Sequence, residues 1–180
     1  MPDWLVLVIR VPGDPARHRV AIWRELRRAG AVVLGAGVWV LPDLPAVLPA
    51  LSRVDELVER AEGELLRIRA TGYDAPDAAT LNRMYGDARR DEWTEFLAEC
   101  DKYLAELDKE HAKSKYTLAE LEEEDQSLER LRRWYRDIRG RDLLDPRGPE
   151  EADTKLKECM ASFDSYADAV YRTLGSPTNQ

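Results

Sequence analysis

The stretch Trp4–Asp43, WLVLVIRVPGDPARHRVAIWRELRRAGAVVLGAGVWVLPD, decides the fold predicted for the first part of the chain. Its opening run, Trp4–Ile9, is apolar, short and rich in β-branched residues, which is typical of a strand buried in the middle of a sheet. Two more apolar runs, Ala31–Leu34 and Val38–Leu41, flank the turn Gly35–Gly37 and indicate a β-hairpin. The stretch therefore predicts a strand, a helix and a two-stranded hairpin, in that order.

The segment between the first strand and the hairpin has the features of an amphipathic helix. Asp14 is the expected N-cap, Pro15 the first helical residue, and Gly30 follows the last helical residue, Ala29. At about 100° per residue, the apolar side chains form one broad face that we expect to point into the core. This face consists of Val20, Ile22, Trp23, Leu26 and Ala29.

A second helical pattern at residues 46–61 and an alternating strand, Glu64–Ala70, complete a β-α-β-β-α-β order. That order predicts a ferredoxin-like unit, in which two helices cover one face of a four-stranded antiparallel sheet. After the polar linker Thr71–Pro76 the sequence becomes rich in Lys and Glu and helical in pattern. We therefore predict an α+β protein with a ferredoxin-like unit at residues 1–72 and a helical region at residues 73–180, packed as one body.

The helical region is expected to hold three long amphipathic helices, which pack as antiparallel neighbours when their loops are short. They are predicted at Asp77–Lys113, Thr117–Arg139 and Glu150–Leu174. Thr117 and Glu120 have the spacing of a capping box. Gly86 is the place where the first of these helices would be interrupted, and Gly140 is expected to end the second.

Composition and charge narrow the classes of function. The 180 residues are 44% hydrophobic and 34% charged, which is typical of a folded soluble protein. No apolar run approaches the ~18 residues of a membrane span, and no signal-peptide pattern opens the chain, so we expect a cytoplasmic protein that does not contact a membrane. The net charge is −8, yet residues 10–40 carry six arginines against two acids. This distribution favours a phosphate contact at that segment alone.

Motifs for catalysis or metal binding are missing from the sequence. It contains no phosphate-binding loop, no zinc-protease motif and no paired CxxC, so we expect no enzyme activity, no metal and no cofactor. Cys100 and Cys159 lie in helical patterns and are expected to be small core residues, while His18 and His111 are expected on the surface. A nucleophile pair of Cys100 and His111 is the alternative, without a supporting motif. The acidic run Glu122–Asp125 is expected to be a solvated helix face.

Arginines of the first helix are the candidate binding site for DNA or another anion. The set consists of Arg17, Arg19, Arg24, Arg27 and Arg28. Arg17, Arg24 and Arg28 fall within about 40° of one another on the side away from the apolar face. Arginine is the residue type that makes bidentate contacts to phosphate. The alternative is that these arginines pair with acids of the helical region.

Several separated motifs recur in the order known for one family. The pattern R-x3-WRELRRAGAV, followed by GVWVLPD, extends from Arg19 to Asp43. Three further motifs lie in the helical region, at residues 87–100, 115–122 and 131–142. Together they resemble the N-terminal domain family of ChrB, the chromate-resistance regulatory protein, over nearly the whole chain.

The resemblance implies a bacterial cytosolic protein that controls a chromate-efflux operon by binding promoter DNA and responding to chromate. We expect no counterpart here of the second, C-terminal domain that many such proteins carry. The first part also resembles the ferredoxin-like domain of PaaX-type repressors and, through it, a small CRISPR-associated endonuclease that dimerises through this fold. Those repressors read DNA with a separate winged-helix domain, which we do not find in this sequence. Those nucleases place a metal-binding aspartate at the end of the first strand, where this chain has Arg10, and a cation repels a divalent metal.

Three hypotheses follow from the residues and the resemblance. The first is a transcriptional regulator, a homodimer that contacts promoter DNA through the arginine-rich helix, with chromate or another oxyanion as effector. The second is an oxyanion-sensing or protein-interaction module without DNA binding of its own. The third, a nuclease on the ferredoxin-like unit, is disfavoured by Arg10. The first predicts a steep salt dependence of DNA binding, and the second predicts thermal stabilisation by chromate or sulfate.

Overall fold

The computed structural model describes residues 3–145 and 147–175. The elements, in chain order, are β1 (Trp4–Arg10), α1 (Ala16–Arg28), β2 (Val32–Gly35), β3 (Val38–Pro42), a 3-10 turn (Pro45–Val47), α2 (Leu48–Arg60), β4 (Glu64–Ala70), α3 (Ala75–Ala112), α4 (Leu118–Arg141) and α5 (Glu150–Gly175). The chain divides into two compact units. The first holds the described residues up to Arg90 and those from Gly140 to Asp145, and the second holds the rest. Residues 73–90, which the sequence division assigns to the helical region, belong to the first unit.

The predicted α+β class and the four-stranded antiparallel sheet of the first unit are confirmed. The strand order is β2-β3-β1-β4, and every neighbouring pair is antiparallel. The apolar run of β1 lies in the middle of the sheet, where both of its faces are covered by side chains. In the hairpin, Val33 pairs with Trp39, and the register shifts between Val33 and Gly35. Gly37 has a positive φ of 73°, and an added Cβ would lie 2.5 Å from the backbone oxygen of Ile9.

Helices α1 and α2 pack on one face of the sheet, as the sequence predicts. The core between the helices and the sheet is formed by Leu5, Leu7, Ile9, Trp39 and Leu41 of the strands and by Ile22, Leu26, Leu51, Val54 and Val58 of the helices. The predicted N-cap is wrong: the residue before the first helical residue is Pro15, in an extended conformation without a side-chain cap. Asp14 therefore lies one residue too early to cap the helix.

The other face of the sheet is partly covered by the first part of α3. Tyr85 packs on Trp4, with ring centroids 5.5 Å apart, and both residues belong to a small cluster with Val40. The Tyr85 hydroxyl donates to the backbone oxygen of Arg141 at 2.8 Å and accepts from the backbone N–H of Leu143 at 3.1 Å. Within the first unit, Tyr85 thus connects the start of α3 and the sheet with the last residue of α4 and the segment that follows it.

The second unit has its own helical core, which contains both cysteines. Cys100 and Cys159 are fully buried and not joined by a disulfide, as predicted for small core residues. Helix α3 continues through Gly86, and α4 continues past Gly140 to Arg141, so neither predicted glycine break exists. A glycine weakens a helix by only about 1 kcal/mol, and neither residue has a positive φ.

The start of α4 follows the predicted cap in part. The Glu120 backbone N–H donates to Thr117 Oγ1 at 3.3 Å, as in a capping box. The Glu120 carboxylate instead pairs with Lys115 Nζ at 2.7 Å, so the reciprocal half of the box is replaced by an ion pair. Within the described ranges, no helix combines the length and the apolar character that a membrane crossing requires.

Candidate anion-binding surface

The exposed side of α1 carries all five arginines predicted as the site. The buried side of this helix is narrow, because it is formed by Ile22, Glu25 and Leu26 only. Arg17, Arg24 and Arg28 are spaced seven and four residues apart, which places them in one stripe along the helix. We call these three residues the arginine stripe. Arg19 and Arg27 are also exposed but lie outside the stripe, on either side of Trp23 by helical geometry.

The stripe differs along its length in how its charges are compensated. Arg28 Nη1 lies 2.9 Å from Glu25 Oε2, within the same helix. Arg17 and Arg24 form no hydrogen bond or ion pair with any residue in the described part of the chain. Their guanidinium groups therefore face solvent with all donors available to an external anion.

A sixth arginine joins the stripe from the neighbouring helix. Arg53 of α2 donates from Nε to Glu25 Oε1 at 2.5 Å, so a single carboxylate holds Arg28 and Arg53 together. Glu25 is only 6% exposed, whereas the side chains of the two arginines are 72% and 51% exposed. Sequence reasoning missed Arg53, because no local pattern connects residues 28 positions apart on different helices.

The position of Arg17 and Arg19 on α1 works against helix stability. The first turn of the helix contains no acidic residue, and Arg17 is its second residue. The partial positive charge of a helix N-terminus repels cations by about 0.3–1 kcal/mol each. The same partial charge adds to the two guanidinium groups in attracting an anion. Proteins break such local preferences mainly at functional or strained sites, which makes this end of α1 a candidate for anion binding.

The predicted core face of α1 is wrong at Trp23 and Val20. The sequence predicts that both point inward, but Trp23 is 50% exposed and Val20 is 42% exposed. Of the apolar residues of α1, Ile22 and Leu26 belong to the core against the sheet. Val20 and Trp23 lie outside that core. The Arg27 guanidinium carbon lies 5.9 Å from the centroid of the Trp23 ring, within the range of a cation–π contact.

These exposed residues line an apolar groove of about 700 Å³ between α1, the end of β1 and the β2–β3 turn. Trp39 forms part of the groove and is almost fully buried. Arg10 and Arg19 are the charged residues of its lining. The sequence analysis counts Arg10 in the basic segment 10–40 and uses it as an argument against a metal, but does not include it among the candidate binding residues.

A family model described as "Protein ChrB, N-terminal" matches residues 19–177. The chain belongs to the ChrB N-terminal family. The predicted resemblance is therefore confirmed, and the match extends over most of both compact units. Protein ChrB of Cupriavidus metallidurans is 25% identical over 96 residues. That alignment covers 53% of this chain and 29% of the length of the Cupriavidus protein.

The residues matched by the family model include most, but not all, of the candidate surface. Arg19, Arg24, Arg27 and Arg28 lie inside the matched residues, and Arg10 and Arg17 lie before them. The exposed side of α1 is cationic. Glu25 is the acidic residue of this helix, and its side chain is buried.

Proposed function

We propose that this ChrB-family protein is a regulator associated with chromate resistance that contacts promoter DNA through the arginine stripe of α1. The observation that supports this function best is that Arg17 and Arg24 are exposed on one side of a helix and unpaired within the described residues. Arg28 and Arg53 extend the cationic surface at its far end.

The dimensions of the stripe suit a phosphate backbone. Arg17 and Arg28 are eleven positions apart, and at about 1.5 Å per residue this spans about 16 Å. Guanidinium groups bind phosphate in bidentate geometry, and such contacts fix the position of a protein on DNA without reading its sequence. A net charge of −8 disfavours general adhesion to DNA, so the contact is expected at the stripe alone.

Two copies of the chain would increase the number of phosphate contacts. A homodimer, as the sequence predicts, presents two stripes related by a two-fold axis, which suits a palindromic operator. Side chains outside the stripe supply base recognition in this proposal, because phosphate contacts carry no direct sequence information. Chromate or a related oxyanion is the proposed effector.

Fluorescence anisotropy with labelled DNA from upstream of the coding sequence tests the proposal. We compare the wild type with an Arg17→Ala/Arg24→Ala variant at about 100 mM salt. The matched control is Arg133→Ala/Arg136→Ala, which removes the same charge from exposed positions on α4. We expect the stripe variant to lose most of its affinity and the control to keep it. Equal losses in both variants would show a net-charge effect, and no binding by the folded wild type at low salt would contradict the proposal.

An inorganic oxyanion is a second candidate ligand for the same surface. The observation that favours it is the pairing of exposed arginines with an acid-free helix N-terminus at Arg17 and Arg19. In that case chromate or sulfate raises the melting temperature while DNA does not bind. A thermal shift series with chromate, sulfate and chloride at equal ionic strength distinguishes this from DNA binding.

A further inference from the structure

The groove beside α1 is not explained by the DNA contact. Its lining includes Trp23 and Val20, which are about half-exposed, and Trp39, which is buried. Ile9 and Val11 contribute further apolar surface at the end of β1. A volume of about 700 Å³ lies within the usual range of small-molecule sites, about 300–1,000 Å³. An occupant would remove from water the exposed part of a tryptophan, whose side chain can bury about 150–250 Å².

The charged lining of the groove has one sign only. Arg10 and Arg19 are the titratable residues of the lining, and both are exposed. Neither forms a hydrogen bond or ion pair through its side chain with any residue in the described ranges. Glu64 lies across from Arg10 in the β1–β4 register, but no ion pair joins the two side chains. The groove therefore offers two guanidinium groups, neither of them held in an ion pair within the described residues, at the edge of an apolar surface.

We propose that this groove binds a small amphipathic organic anion, with an aromatic or aliphatic body against Trp23, Val20 and Trp39 and a carboxylate or sulfonate against Arg10 and Arg19. Apolar contacts hold the body, and the two arginines select the charge, since each forms charge-assisted hydrogen bonds with an anionic head group. Apolar side chains and two cations in one lining of about 700 Å³ suit a compact ligand that carries a single anionic group. The site stands independently of DNA binding, and only Arg19 belongs both to this site and to the arginines considered for DNA.

The test uses anilinonaphthalene sulfonate as a fluorescent probe and competition by unlabelled ligands, in the absence of DNA. Decanoate is the anionic competitor, and decanol is its neutral counterpart with the same chain. We expect decanoate to displace the probe from the wild type at concentrations at which decanol does not. Equal displacement by decanol would contradict recognition of the anion, and probe fluorescence that no competitor lowers would contradict a defined site.

Variants locate the site within the molecule. Arg10→Gln is expected to weaken probe binding roughly tenfold, the effect of losing one charge-assisted contact. The matched control is Arg83→Gln, which removes an exposed arginine from α3 and should bind as the wild type does. If Arg10→Gln does not fold, Val20→Asp serves instead, because it places a carboxylate at an exposed groove position and must also weaken binding. Unchanged affinity in the folded groove variant, or equal loss in Arg83→Gln, would overturn the proposal.

Discussion

Glu25 holds two arginines of the proposed DNA-contact surface in an internal ion pair, so neutralising Glu25 should strengthen DNA binding if the proposal is right. Its carboxylate binds Arg28 at 2.9 Å and Arg53 at 2.5 Å. Glu25→Gln keeps the size of the side chain but removes the negative charge. Both guanidinium groups then become available to phosphate, and the arginine stripe gains up to two further contacts.

The magnitude follows from counterion release. Each additional phosphate contact steepens the dependence of log K on log salt by about 0.9. Two contacts steepen it by about 1.8, so the affinity ratio between variant and wild type grows about twelvefold when salt falls from about 200 to about 50 mM. The same substitution should lower the free energy of unfolding by about 1 kcal/mol, a modest loss because both arginine partners are largely exposed.

Anisotropy titrations over that salt range measure the gain, and urea denaturation measures the loss. Glu56→Gln is the matched control, since it removes the same charge from an exposed pair with Arg60 on α2. We expect this control to change neither stability nor the salt dependence appreciably. Weaker or unchanged DNA binding by folded Glu25→Gln would refute the reasoning. An equal gain in DNA affinity by Glu56→Gln would show that the effect of Glu25→Gln comes from net charge alone.

Three further predictions concern the fold. Tyr85→Phe removes the hydroxyl that accepts a hydrogen bond from the backbone N–H of Leu143. The substitution should lower the free energy of unfolding, measured by urea denaturation, by about 1–3 kcal/mol. Burial and nearby carboxylates raise the pKa of Glu124, so the folded state holds this proton more tightly than the unfolded chain. The protonated Glu124 side chain therefore stabilises the fold below the pKa of the unfolded chain, about 4.3, and this stabilisation is lost as the pH rises through the higher pKa of the folded state. Glu124→Gln should accordingly raise the melting temperature at neutral pH but not near pH 4. Gly37→Ala combines a positive φ with a Cβ 2.5 Å from a backbone oxygen of β1, and should destabilise by more than about 1 kcal/mol, whereas Gly35→Ala, which meets nothing within 4 Å, should not.

The strands and the family could be predicted from sequence because their signals are local. The continuous apolar run Trp4–Ile9 and the alternation in Glu64–Ala70 carry the strand periodicity directly, and the glycines of the hairpin mark the turn. Helix ends were less predictable. Gly86 and Gly140 have weak intrinsic effects. Tyr85, beside Gly86, packs on Trp4 and donates to the backbone oxygen of Arg141, the residue after Gly140, and no local sequence pattern shows these contacts.

The face of α1 could be predicted only in part. Hydrophobic periodicity identifies the apolar residues, but it does not show how wide a face the sheet will cover. Here Ile22 and Leu26 reach the core, and Trp23 and Val20 remain beside it. The groove is lined by Trp23 and Val20, the two apolar residues of α1 that stay outside the core.

Long-range partners carried no sequence signal at all. Arg53 reaches Glu25 from another helix, and Arg10 reaches the groove from the end of a strand. The exposure of the five predicted arginines, in contrast, follows from helical geometry once the buried side is known.

The salt dependence of promoter binding by the Arg17→Ala/Arg24→Ala variant tests the central claim most directly. If both arginines neutralise phosphates, the slope of log K against log salt should be about 1.8 shallower in the variant than in the wild type. The Arg133→Ala/Arg136→Ala control should keep the wild-type slope. Equal slopes in all three proteins would contradict the claim that DNA lies on the exposed side of α1.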